Sequence, residues 1–137
     1  MALLLACLSA AGFAEPGTDD GFTGAWVGPG VVVDIRREDE DYRLGAAFAR
    51  DDRTRELWEY SVCWVDGDAN VLECRGFKMT LQRYDGLTQT WEEADWAMND
   101  MRYARLWLEG PTLLWSNDGA DPPLALWRLD EVMGARR

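Results

Sequence analysis

The 137-residue chain has no histidine. That removes the commonest general base, the Ser–His and Cys–His nucleophile pairs, and the commonest metal ligand. Any catalysis would have to run on carboxylates, lysine or tyrosine, and no spacing among the acidic residues nominates a pair. Positive charge is also scarce: 14 Lys and Arg face 25 Asp and Glu, for a net charge of −11. Such a surface repels phosphate backbones and anionic headgroups, which argues against nucleic acid or an acidic membrane as partner. Long-range attraction instead favours a basic protein or a cationic small molecule. Long apolar runs are missing too, since the uncharged stretch 1–14 is too short to span a bilayer as a helix. No metal-ligand spacing and no cofactor motif is present; Asp66-Gly67-Asp68-Ala69-Asn70 opens like a calcium loop, but Val71 stands where its glycine is needed and Phe77 where its bidentate Glu is needed.

What is there reads as one domain. The chain is 47% hydrophobic with eight tryptophans, enough for a single core and too short for two. Residues 1–14 resemble the apolar region of a secretory leader without its basic start, with a small-residue cleavage site after Gly12-Phe13-Ala14. Leu4-Leu5-Ala6-Cys7 also resembles a bacterial lipobox, which would put a lipid anchor on Cys7. Both readings place the protein in an oxidising compartment, periplasmic or secreted. Residues 15–21 form a flexible lead-in, 22–131 the folded domain and 132–137 a tail.

The stretch Leu57 to Arg83 reads as one long hairpin. Paired about Gly67-Asp68-Ala69-Asn70, it sets Cys63 opposite Cys74, Glu59 opposite Lys78, Tyr60 opposite Phe77 and Trp58 opposite Met79. A single register yields a covalent link, an ion pair and two aromatic or sulfur–aromatic pairs. Facing Cα atoms on neighbouring strands lie within disulfide reach, and closing so short a loop contributes about 3 kcal/mol. Strict alternation then places Trp58, Tyr60, Val62 and Trp64 on one face with Met79, Phe77, Arg75 and Glu73 across from them. That face runs from apolar far from the turn to mixed near it. The mixed end reads either as a ligand-binding rim or as a plain Glu73/Arg75 ion pair at the hairpin tip.

Further strands are expected from Phe22 to Val27, Val31 to Ile35, Tyr42 to Phe48, Met101 to Leu108, Thr112 to Ser116 and Leu124 to Leu129, with turn residues between them. Thr90 with Glu93 makes a capping box, and Trp91, Ala94, Met98 and Met101 recur at helical spacing. This predicts one short helix near residues 91–99. The fold class expected is therefore all-β: a small antiparallel up-and-down barrel of about eight strands with that helix.

Gly24-Ala25-Trp26 resembles the Gly-x-Trp that opens the first strand of calycin barrels, the lipocalin and avidin type. The resemblance implies that Trp26 packs across the closed end of the barrel against Arg128. It carries over no biotin site. Met101-Arg102-Tyr103-Ala104 followed by Leu114-Trp115-Ser116 resembles the end of bacterial periplasmic lysozyme inhibitors, which implies docking on a strongly basic hydrolase. Two non-enzymatic functions follow. One is a binding module for an apolar or aromatic small molecule held by Trp58, Tyr60, Trp64, Glu73, Arg75 and Phe77. The other is an acidic module that docks on a basic protein. The state of the interior separates them: a hollow barrel favours the first, a packed one the second.

Overall fold

The computed structural model describes residues 21–67 and 70–134. Residues 1–20, on which the expected leader, Cys7 and most of the expected lead-in fall, and residues 135–137 lie outside the described residues. The chain runs as β1 (Gly24–Gly28), β2 (Val31–Glu38), β3 (Asp41–Ala49), β4 (Thr54–Asp66), β5 (Val71–Asp85), β6 (Thr90–Asp100), β7 (Ala104–Glu109), β8 (Thr112–Asn117) and β9 (Leu124–Arg128), followed by a one-turn helix α1 (Leu129–Gly134). Every pairing is antiparallel. Neighbours in sequence pair from β1 to β5, then β5 with β7, β7 with β8 and β8 with β9, and β9 returns to β1 through Trp26 opposite Arg128. Eight strands thus close on themselves, which removes the exposed edges of an open sheet.

The ninth, β6, stands where a helix is expected from the capping box and the spacing of its apolar residues. Lys78–Tyr84 on β5 extends past the closed barrel, and β6 pairs with it from Phe77 opposite Asp100 to Asp85 opposite Thr90. β4 pairs with one edge of this segment; without β6 the backbone groups on its other edge would have no ladder partner, and a helix could not supply one. Pairing also sets Glu92 opposite Arg83 and Met98 opposite Met79. These tertiary gains outweigh a local helical preference worth a few tenths of a kcal/mol per residue, roughly. The short helix that does form, α1, falls at the junction of the last strand and the tail.

The β4–β5 register is the expected one throughout, including Cys63 opposite Cys74, which are joined as a disulfide. The faces are not. Tyr60 and Phe77 point inward, the next two residues on each strand (Ser61 and Val62, Gly76 and Arg75) lie outward of the core, and Cys63 and Cys74 point inward again. Both strands slip by one residue at the same level. Gly76 makes this local kink with a φ of +80°, and a Cβ there would sit 2.6 Å from the Ser61 hydroxyl. Beyond the slip, Leu72 and Val65 pack on the core in place of Glu73 and Trp64.

One barrel end is closed by Trp26, which is 1% exposed. Its indole Nε1 donates to the Phe22 carbonyl at 2.8 Å. The Arg128 guanidinium lies over the ring at 4.4 Å and donates to the carbonyls of Thr23 and Gly21 at 3.2 and 3.0 Å. Gly24 is required here: its φ is +132°, and a Cβ would approach Arg128 Nη1 to 3.2 Å.

Candidate functional site

Toward the other end the interior is filled by rings. Trp58 packs on Phe48 at 4.5 Å, on Phe77 at 5.1 Å and on Trp115 at 6.0 Å between centroids, and Tyr60 packs on Phe77 at 5.3 Å. Distances of 4.5–7 Å are those of favourable aromatic pairs in a packed interior. Arg102 covers this cluster, its guanidinium 4.7 Å over Phe77 and 5.7 Å over Trp58, steadied by Asp100 at 3.3 Å. Of the six residues expected to hold a ligand, Trp58, Tyr60 and Phe77 are therefore together, but in mutual contact.

The other three lie on the outside of the barrel, beyond the slip. Arg75 stacks on Trp64 at 5.4 Å. Glu73 pairs with Arg105 of β7 at 3.0 Å, so the Glu73/Arg75 ion pair expected at the hairpin tip does not form. In the break between β6 and β7, Met101 and Tyr103 are 69% and 53% exposed.

The Tyr60 hydroxyl donates to Asn117 Oδ1. Burial, then the negative charge of Asp118, push its pKa well above the ordinary phenol range, with Arg102 opposing. The folded protein therefore keeps this proton to a higher pH than the unfolded chain does. Above about pH 10 the unfolded state binds fewer protons, so stability falls as pH rises through that range. Tyr60→Phe is expected to flatten this slope and to cost about 1 kcal/mol near neutrality for the lost bond. Urea midpoints between about pH 8 and pH 11 test it; an unchanged slope in the variant would refute the assignment.

Two surface features carry functional potential. The first is the outer edge of β6. This strand pairs with β5 alone, and Glu92 and Glu93 on it are exposed. A bulge interrupts it, with three residues between Glu93 and Ala97 set against one between Thr80 and Gln82. The second is a groove of about 310 Å³ on the outer face of β2 and β3. Its floor includes Val32 and Ala47, each only 6% exposed although their neighbours Val31, Val33 and Ala46 are the ones that face the core. Its wall is Trp91 of β6 with the Arg55 guanidinium 4.2 Å over the ring. Asp51 and Asp52 of the β3–β4 turn form the rim. Asp51 accepts from the backbone N–H of Arg53 and of Thr54, both at 2.8 Å, and these bonds hold its carboxyl below the usual carboxylate range.

Nothing in the sequence marked these two places. The groove joins β2, β3, β4 and β6, so no local spacing could reveal it, and the free edge of β6 lay within the segment expected to be helical. No group of His, Cys, Asp or Glu among the described residues is arranged to hold a metal ion. In comparisons with known proteins the chain matches no family, no curated protein and no solved structure.

Proposed function

We propose that this is an exported, non-enzymatic binding module that docks on a basic protein, taking an extended Lys- or Arg-rich segment along the free edge of β6. The observation that carries this reading is an eleven-residue strand paired on one side only, with Glu92, Glu93 and Asp100 among its exposed residues. An extended segment added to such an edge gains main-chain hydrogen bonds, and side-chain charge supplies the selectivity. The same carboxylates oppose pairing with a second copy of this chain, as does the bulge. A net charge of −11 steers a basic partner from a distance.

Three further features support the reading. Aromatic side chains fill the barrel interior and leave the outside to do the binding. The disulfide suits an oxidising compartment, as the leader-like residues 1–14 do. The Trp26–Arg128 closure and Gly24 fit a calycin-like barrel, and the resemblance of Met101–Ala104 and Leu114–Ser116 to periplasmic lysozyme inhibitors points to a basic hydrolase as the partner.

The test is calorimetric titration with a basic lysozyme-type enzyme and with Lys/Arg-rich peptides, at low and high salt. Binding is expected to weaken steeply with salt, and Glu92→Lys combined with Glu93→Lys is expected to weaken it about tenfold or more. Affinity indifferent to both salt and charge reversal would overturn the proposal.

A further inference from the structure

The structure assigns a second, independent site to the groove beneath Trp91: a seat for one small, flat, apolar or aromatic molecule that carries a positive charge. A volume of about 310 Å³ lies at the lower end of the range of small-molecule pockets, room for about one or two fused rings. The floor is apolar where a barrel exterior is ordinarily polar. Val32 and Ala47 are buried there without belonging to the core, so the surface they present is concave and shielded.

The walls are fixed before any ligand arrives. Arg55 is held by its Nε bond to Gln82 Oε1 at 2.7 Å and lies on Trp91, which in turn packs on Tyr84 at 5.3 Å. A pre-organised wall lowers the ordering cost of binding. The charges at the rim set the ligand class. Arg55 is already engaged with Gln82 and Trp91, so an anionic ligand would compete with existing contacts. Asp52 is exposed at the rim and makes no bond to another described residue. A cation seated with its rings on the Val32–Ala47 floor would meet the Asp52 carboxylate at the mouth. The overall acidity adds to the preference.

This inference does not rest on the docking reading: it uses the outer face of β2 and β3 and the Trp91 ring, whereas that reading uses the free backbone edge of β6. The test compares three probes of equal shape, naphthalene, naphthylmethylammonium and naphthoate, by calorimetry and by tryptophan fluorescence. The ammonium probe is expected to bind at least about tenfold more tightly than the carboxylate. Asp52→Asn should erase most of that difference while leaving naphthalene binding unchanged. Ala47→Trp should abolish binding of all three by filling the groove. Ala49→Trp, at the more exposed end of β3, does the same with less demand on packing, and circular dichroism checks the fold of each. Equal affinity for the three probes, or no effect of Asp52→Asn on the preference, would overturn the ligand class. Absence of binding by every probe, or binding that survives both Trp variants in folded protein, would overturn the site itself. Neither result bears on peptide binding at β6.

Discussion

Trp26→Ala is expected to lower stability by about 3–5 kcal/mol, the range for removing a large aromatic side chain from a core that collapses only partly. Trp26 is 1% exposed and packs at the point where the barrel closes. Three losses add there. The cavity is large, because the indole is the widest side chain available. The Phe22 carbonyl loses the donor it has in Trp26 Nε1. The half-buried Arg128 guanidinium loses the face on which it lies, while its bonds to the Thr23 and Gly21 carbonyls remain. Arg128 also ties the residues before β1 to the end of β9, so the substitution should loosen the chain entry as well. Trp127→Ala is the control: its neighbour in sequence is 42% exposed, and the change should cost under about 1 kcal/mol. Urea denaturation of both variants gives the comparison. A Trp26→Ala loss no larger than that of Trp127→Ala would mean that Trp26 does not close the barrel.

The parts of the fold that were legible in the sequence are those in which chemistry is written across a strand pair. Four independent facing pairs agreed on the β4–β5 register, and a one-residue error would have lost all of them. The face of the hairpin was illegible for the opposite reason. Alternation is a local rule, and it assumes that no residue departs from the pleat. Gly76 was the available signal, since a glycine inside a strand often marks a kink. Reading past it sent Trp64, Glu73 and Arg75 to the inside, whereas the slip turns them out and turns Cys63, Cys74 and Leu72 in. The segment 90–100 failed at a different level. Its capping box and apolar spacing are compatible with a helix, and only the length of β5 beyond the closed barrel shows that a strand is needed. Trp26 and Arg128, by contrast, were paired correctly from a resemblance at one end of the chain and the arginine of the last strand at the other.

Replacing Cys63 and Cys74 together by alanine is expected to destabilise the protein by about 2–5 kcal/mol. The two residues are 11 apart in sequence, so loop closure alone supplies just under about 3 kcal/mol by constraining the unfolded chain. The folded side adds to this. Both cysteines are fully buried in the core cluster between Tyr42, Leu72 and Ala104, so removing the two sulfurs also leaves unfilled volume. The two contributions can be told apart. The entropic part belongs to the unfolded state, which becomes more expanded without the link, so the denaturant slope m should rise in the variant. Reduction of the wild-type protein keeps the sulfurs and removes only the constraint, and it should therefore cost less than the double substitution while raising m equally. The position of the link sharpens the expectation. It sits immediately past the slip at Ser61–Val62 and Gly76–Arg75, where the ladder between β4 and β5 carries its kink, and there a covalent bond restrains both strands where their pleat is least regular. Urea titrations of the oxidised, reduced and double-alanine forms, with mass spectrometry to count thiols, decide the matter. Two free thiols in protein taken from an oxidising compartment, or a loss under about 1 kcal/mol with unchanged m, would show that the hairpin does not depend on this staple.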